Sequence, residues 1–464
     1  MTPVFFCADI GTSSLKAALI DSDGRDRGFS REVYPPDRFA QGAIRAADWE
    51  LALSRAAGRL LKTGVKPEGV CISGNGPTLV PVTPEDEALP PLHWYDAVIP
   101  PESDETGPAE RLAARAALPK PKSFFLPHAE WFLRRRPEEY EKTRLLFSAQ
   151  EWLSFRLGAE AVTTLPAAAY VPYYWDAEQC SEAGLAMEKF PPFVNLGSVI
   201  GRVSPEAADR YGLPPGIPII AGGPDFIMAL LGVGAIKPGR VCDRAGTSEG
   251  INLCTSGYIR SRELRALPHV EAGLWNIGGV IADSGRLFEQ YRTLTGQEQR
   301  SYEETLSELI APDGTLPPDK ADFFPRFGFF GRGIMNRVSL GRGALETLGF
   351  QARSVLDAFA GQGFSVTEMR VSGGQGKNAL WNRLKADITG CTLLIPEISD
   401  GELAGDAALA AIALGEASGF AEAADRMIRI KSRYSPDPQR RLRYTEAYRA
   451  YCERRDLLDK VFGA

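Results

Sequence analysis

The stretch VFFCADIGTSSLKAALID, residues 4–21, reads as an apolar run, a tight polar bend and a second apolar run, and RVCDRAGTSEGINLC, residues 240–254, repeats the arrangement. By its turn chemistry each is a strand hairpin. One hairpin near the opening of each half of the chain predicts a duplicated lobe. A Gly-Thr-Ser bend, beginning at Gly11 or at Gly246, turns successive backbone N–H groups outward beside one or two hydroxyls, a combination suited to phosphate oxygens. Taken singly, Gly-Thr-Ser is a common turn tripeptide. Paired at the openings of both halves, two facing bends are expected to grip one polyphosphate from opposite sides.

Length and composition set the frame for that reading. A chain of 464 residues is too long for one core, so two large lobes are expected. The Pro-Gly-Arg at 238–240 marks their boundary, giving 1–237 and 238–431, with 432–464 as a helical tail. With 53 basic against 59 acidic residues and a formal charge of -6, no general field for nucleic acid exists, and no nucleic-acid partner is expected. The most membrane-like stretch, IIAGGPDFIMALLGVGAI (219–236), would put a carboxylate and a broken backbone into lipid, so it is read as strand, turn and helix with no membrane partner. The N-terminal residues lack the basic and apolar regions of a signal peptide, and the seven cysteines are odd in number, scattered and never in a CxxC pattern. Both features predict a reducing, cytoplasmic location. The histidines His93, His128 and His269 fall in no HExxH pattern. The expected metal is therefore Mg2+ on carboxylate and phosphate oxygens.

Local pattern places the remaining elements. WELALSRAAGRLLKTG (49–64) has helical spacing and GVCISGNG returns to a buried strand. Between about 100 and 200, helical patches such as PEEYEKTRLLFSAQEWLSFRLG alternate with proline-rich connections, and no topology is assigned. PGIPIIAGG then reads as a strand and PDFIMALLGVGA as a helix beginning at Asp225, a residue that could serve simply as its cap. ADSGRLFEQYRTLTG and GALETLGFQARSVLDAFAGQG read as helices, followed by strand, glycine turn, helix and strand in MRVSGG, QGKNALWNRLKADITG and CTLLIPE. GDAALAAIALGEA is an apolar helix, and the charged tail carries Tyr444, Tyr448 and Tyr451 at helical spacing as a docking stripe.

The cluster SGGQGKNA (372–379) admits a rival function. Gly374, Gly376 and Ala379 fit GxGxxA, with Glu397 about where a ribose-binding acid stands, as in an NAD-dependent oxidoreductase. Too little chain follows Gly374 to hold a second mononucleotide half and a catalytic domain, and both hairpins would be left without a role. Neither a GxxxxGK[ST] loop nor a GxSxG elbow occurs.

Four segments in order resemble the motifs of the FGGY carbohydrate kinases, within the larger actin, hexokinase and Hsp70-like ATPase superfamily. DIGTSSLKAALID resembles the first phosphate motif, GGPDFIMALLGVGAIKPG the catalytic segment, RAGTSEGINL the second phosphate motif, and VSGGQGKNALWNRLKADITG the adenosine motif. The resemblance implies an α/β fold of two ribonuclease H-like, actin-like ATPase lobes with mixed sheets and a cleft between them. It implies phosphorylation of a hydroxyl of a small sugar or polyol, with ATP and Mg2+ as cofactors and a ketopentose such as xylulose as the leading acceptor, ahead of ribulose, a hexulose or glycerol. By the same carry-over Asp225 is the general base, and Asp9 orients Mg2+, its competing role being a buried structural hydrogen bond. Gly11, Thr12, Ser13, Gly246 and Thr247 line the phosphates, and Gly373, Gly374 and Asn378 touch adenosine. Asn75, Trp94, Asp96 and Asp225 face the acceptor, and Lys16 either approaches phosphate or stands exposed on its strand. The expected partners are the small-molecule substrate and a second copy of the chain.

The acceptor region departs from the family pattern. Many members carry a methionine-histidine or similar pair after the strand that here reads CISGNGPT, and a tryptophan, aspartate and arginine in the segment that here reads LHWYDAV. Trp94 and Asp96 are kept, Val98 stands at the arginine position, and Asn75 to Thr78 include no histidine. TTLPAAAYVPYYW (163–175) lacks the acid often found there, and Phe226 follows the catalytic aspartate where a polar residue is common. FFPRFGFFGRG fits the family loosely, with Arg332 within reach of phosphate or substrate. Fewer polar groups are left for a polyhydroxyl ligand, which keeps open a non-catalytic descendant that binds sugar or nucleotide.

Overall fold

The computed structural model describes residues 2–40, 42–96, 122–246, 248–312 and 337–462. Each Gly-Thr-Ser hairpin seeds one mixed sheet. In the first, Val4–Ile10 (β1) pairs antiparallel with Ser14–Asp21 (β2), which pairs antiparallel with Asp26–Val33 (β3). On its other side β1 runs parallel to Gly69–Gly74 (β4). With Val199–Arg202 (β5) and Pro218–Pro224 (β6) the sheet order is β3-β2-β1-β4-β6-β5. Phe5, Phe6, Cys7, Ala8 and Ile10 are all fully buried, so β1 is covered on both faces. That is why its sequence reads as a continuous apolar run rather than an alternation. The helix Ala46–Leu60 (α1) lays Trp49, Leu53 and Ala57 against one face, joined by Trp152 and Leu153 of Ala149–Leu157 (α2).

The second sheet is built the same way. Val241–Ala245 (β7) pairs antiparallel with Glu249–Thr255 (β8), Arg265–Pro268 (β9) and Trp275–Ile281 (β10) extend it, and β7 runs parallel to Glu368–Ser372 (β11). Thr392–Pro396 (β12) and Ile430–Tyr434 (β13) complete the order β9-β10-β8-β7-β11-β12-β13. The runs β3-β2-β1-β4-β6 and β10-β8-β7-β11-β12 share one pattern, two antiparallel pairings followed by two parallel ones. This is the duplicated α/β lobe that the hairpins predict. Three antiparallel strands at its heart exclude the open parallel sheet a dinucleotide fold needs, which removes the oxidoreductase reading of Gly374, Gly376, Ala379 and Glu397.

The chain divides into two compact units, and the division is not sequential. The first comprises Met1–Gly232, Val270–Ala272 and Glu402–Met427, and the second Val233–His269, Gly273–Gly401 and Ile428–Ala464. A lobe running unbroken from 238 to 431 is thus not what the packing gives. The cause is the helix Gly401–Ala413 (α6), which passes so close to Asp225–Gly232 (α3) that a Cβ at Gly405 would lie 2.2 Å from the Met228 carbonyl oxygen. Its apolar surface is spent on the first unit.

Three further segments differ from the sequence reading. Leu145–Phe147, inside the patch read as helical, is a short strand paired with Val80–Val82. The tail begins as strand β13, and its helix spans Pro438–Phe462 (α7). Tyr444, Tyr448 and Tyr451 do pack together, around Phe350 of Arg337–Gly361 (α4), with ring centroids 5.3 Å apart for Phe350 and Tyr451. No helix among the described residues is long and apolar enough to cross a membrane, and 219–236 is strand β6 running straight into α3.

Candidate active site

In the first unit the functional side chains gather at the C-terminal ends of parallel strands. β1 ends at Ile10 and bends through Gly11, Thr12 and Ser13. The Gly11 N–H donates to the Ser14 carbonyl at 3.0 Å, and a Cβ there would lie 2.9 Å from that oxygen, so the bend requires glycine. The second bend closes similarly, with the Gly246 N–H donating to the Ser248 carbonyl at 3.0 Å. In both, the glycine N–H is consumed inside the turn.

Asp9, one residue before the end of β1, is 3% exposed. The register sets it opposite Lys16 on β2 and Ser73 on β4. Lys16 Nζ lies 3.7 Å from its Oδ2, so Lys16 is neither remote from the site nor simply exposed. Sequence reasoning missed the neighbour below. Asp406 of α6 is fully buried and accepts from Ser73 Oγ at 3.0 Å and from Cys71 Sγ at 3.5 Å. Burial, and then the charge of Asp9, push the Asp406 carboxyl well above the usual range. The one signal in the sequence is the acid near the start of the otherwise apolar GDAALAAIA.

The loop after β4 carries Asn75, and Trp94 and Asp96 follow the next strand, Val80–Val82. The Asn75 N–H donates to the Ile10 carbonyl at 2.9 Å, tying this loop to the first bend. Asn75 Oδ1 accepts from Thr78 Oγ1 at 3.0 Å, and the intervening Gly76–Pro77 peptide is cis. Trp94 is 42% exposed, so it is not core, and its indole N–H donates to Thr12 Oγ1 at 3.2 Å. This contact joins the acceptor segment to the phosphate bend. Behind it His93 stacks on Tyr95 at 4.9 Å and bonds the Ile44 carbonyl, and burial lowers its pKa. Asp96 Oδ2 accepts the His93 N–H at 2.7 Å, holding the turn. It also borders a cavity of about 380 Å³ lined by Arg45, Trp131 and Arg136 among others.

Asp225 follows Pro224, which pairs with Gly74 on β4, and so stands beside the Asn75 loop. It opens α3, and one carboxylate oxygen accepts the Phe226 N–H at 2.6 Å. Capping and chemistry are compatible roles for one carboxylate.

In the second unit Gly373 has φ +96°, a left-handed conformation, and its N–H donates to the Ser399 carbonyl at 2.8 Å. Gly374 opens the short turn Gly374–Lys377, and Asn378 Oδ1 caps Ala379–Thr389 (α5) by accepting the Trp381 N–H at 3.0 Å. Thr247, Val98 and the FFPRFGFFGRG segment with Arg332 lie outside the described residues. Among the described residues no group of three or more His, Cys, Asp or Glu could hold a metal ion. A single carboxylate beside hydroxyls fits Mg2+, which keeps several waters and draws other oxygens from phosphate, and does not fit a transition metal.

Comparison with known proteins decides the family. The N-terminal domain of the FGGY carbohydrate kinases matches residues 4–232, and their C-terminal domain matches 244–414. The chain belongs to the FGGY family of carbohydrate kinases. It is accordingly a kinase whose relatives phosphorylate small carbohydrates, and ATP use comes with the family. An autoinducer-2 kinase of Salmonella paratyphi B is 24% identical over 72% of this chain and 70% of its own length. A xyloylose kinase from Brucella ovis has a TM-score of 0.77 at 22% identity, covering 99% of this chain and all of that one. A gluconate kinase from Lactobacillus acidophilus also has 0.77, at 17% identity, covering all of this chain and 99% of that one. FGGY relatives thus share the two-lobed fold while the acceptors in their names differ.

Proposed function

We propose that this FGGY chain transfers the γ-phosphoryl group of MgATP to a hydroxyl of a small sugar or polyol, with a ketopentose such as xylulose as the leading acceptor. What carries the reading is a carboxylate, Asp225, at the head of a helix directly beyond β6 and beside the Asn75 loop, in a chain of this family. The acceptor oxygen forms a bond to the γ-phosphorus, the bond from that phosphorus to the bridging oxygen breaks, and ADP leaves. Asp225 accepts the proton that the hydroxyl gives up. Thr12, Ser13 and Thr247 would receive the phosphates in the bends that Gly11 and Gly246 open, Gly373, Gly374 and Asn378 would border adenosine, and Asp9 would hold Mg2+. The ion supplies neutralisation of the phosphate charge.

Trp94 offers an exposed aromatic face for a sugar carbon skeleton. Asn75, with its amide oxygen already engaged by Thr78, has its amide hydrogens to offer a substrate oxygen. The test is a panel of ketopentoses, hexuloses, glycerol, gluconate and related polyols, scored for ADP release with MgATP. ADP release with none of them, in protein that binds MgADP, would overturn the reading.

A further inference from the structure

Beneath the second bend lies a polar cluster that the transfer chemistry does not use. Lys385 of α5 is 1% exposed, and its ammonium is bonded to Asp243 on β7 and, at 2.9 Å, to Glu249 on β8. Asp243 and Glu249 are as deeply buried. Burial alone would lower the lysine pKa, but the two carboxylates outweigh it and hold the ammonium charged. Glu249 Oε2 accepts from Ser284 Oγ at 2.7 Å, and Ser284 Oγ accepts from Gln375 Nε2 at 2.9 Å. The same Gln375 amide nitrogen donates to the carbonyl of Gly246, the first residue of the bend, at 3.1 Å. Its oxygen accepts the Trp381 indole N–H at 3.0 Å, so both ends of the amide are satisfied. The Gly285 N–H reaches the same Gly246 carbonyl at 3.2 Å.

One side chain of the glycine-rich segment therefore bonds directly to the bend that opens the other nucleotide motif. Besides its own 3.0 Å closure, the bend is held at the Gly246 carbonyl by Gln375 and by the Gly285 N–H, and a phosphate-binding turn is effective in proportion to how little it must reorganise. We propose that Gln375 is a positioning residue for the nucleotide phosphates: it holds the Gly246 carbonyl, and Ser284 with the Glu249–Lys385–Asp243 cluster holds Gln375. This rests on the reading of the Gly246 bend as a phosphate site. The ion group serves as the anchor of this chain of bonds. A buried ion group adds little net stability compared with apolar packing, but it fixes one arrangement of β7, β8 and α5.

The role separates phosphate from adenosine, which gives it a measurable signature. Gln375→Leu keeps most of the side-chain volume and removes both donors, and Ser284→Ala removes the link beneath. Calorimetric titration with MgADP and with adenosine measures the two parts without needing to know the acceptor. Gln375→Leu is expected to weaken MgADP about tenfold while adenosine affinity stays near wild type; the Trp381 indole N–H, left without its acceptor, lowers the melting temperature modestly. Ser284→Ala weakens MgADP less, and the double variant is no worse than Gln375→Leu alone, because the two act in one chain of bonds. Unchanged MgADP affinity, or equal losses for MgADP and adenosine, would overturn the positioning role. Thr247→Val distinguishes the two levels of the argument. If it weakens MgADP while Gln375→Leu does not, the phosphate site stands and the positioning role fails. If neither changes MgADP affinity, the phosphate reading fails with it. Should Gln375→Leu not fold, the MgADP-to-adenosine ratio of Ser284→Ala separates the same outcomes.

Discussion

Adjacent glycines of the adenosine motif are expected to respond to the same substitution in opposite ways. At Gly373 the backbone has φ +96°, and an added Cβ would lie 2.6 Å from the Ala245 carbonyl oxygen and 3.2 Å from its carbon. The conformation costs an alanine about 1–2 kcal/mol. The approach to backbone cannot be relieved by rotating a side chain, and overpacking of this kind costs about 1–3 kcal/mol. The stiffer unfolded chain returns about 0.4–1 kcal/mol, so Gly373→Ala should destabilise the second unit by about 3 kcal/mol. At about 2–4 °C per kcal/mol for a domain of this size, its melting temperature should fall by roughly 6–12 °C. Gly374 has no atom within 4 Å of an added Cβ. Gly374→Ala should therefore melt within about 2 °C of wild type, while a methyl facing adenosine should weaken MgADP by about tenfold, worth about 1.4 kcal/mol. Differential scanning calorimetry and MgADP titration on both variants make the comparison. An unshifted transition in Gly373→Ala would refute the steric argument, and unaltered nucleotide affinity in Gly374→Ala would remove Gly374 from the adenosine site.

Three other outcomes are expected. Asp225→Asn should lower turnover by about 10²–10⁴-fold, the usual worth of a general base, with MgADP affinity retained; wild-type turnover in a coupled ADP assay would remove Asp225 from the mechanism. A raised carboxyl pKa means the folded protein holds that proton more tightly than the unfolded chain, so the Asp406 contribution falls as pH climbs from about 3.9 through the raised value. Asp406→Asn should accordingly show a flatter dependence of melting temperature on pH between 5 and 8, and parallel profiles would contradict this. Burial raises the thiols of Cys7, Cys71, Cys180, Cys254 and Cys391, whereas Cys452 alone among the seven is partly exposed. Native protein should react quickly with a thiol reagent at Cys452 and at the others only on unfolding, as peptide mapping of the labelled chain would reveal.

The parts of this fold that sequence discloses are those decided by neighbouring residues. Both hairpins are visible because glycine and hydroxyl residues interrupt apolar runs, and the junction at Asp225 because Gly-Gly-Pro-Asp ends a strand and caps a helix. Contacts between distant segments leave no such trace. The bond from Trp94 to Thr12 and the convergence of Lys385, Asp243 and Glu249 depend on register and helix placement. Their hint is limited to charged residues inside apolar patterns. β13 escaped notice because its residues are mostly exposed, so it shows no buried alternation. Asp96 illustrates a second limit: its identity fits an acceptor site, and only the structure shows that one of its oxygens also accepts the His93 N–H.

The return of Glu402–Met427 to the first unit has a consequence for biosynthesis. A nascent chain emerging from the ribosome can form the strands of the second sheet up to β12 before the helix that covers Cys71 and Ser73 has been translated. The unit begun first is thus completed only after most of the second has been made. A fragment halted at Gly232 would expose the side of its sheet that Asp406 and its helix normally seal.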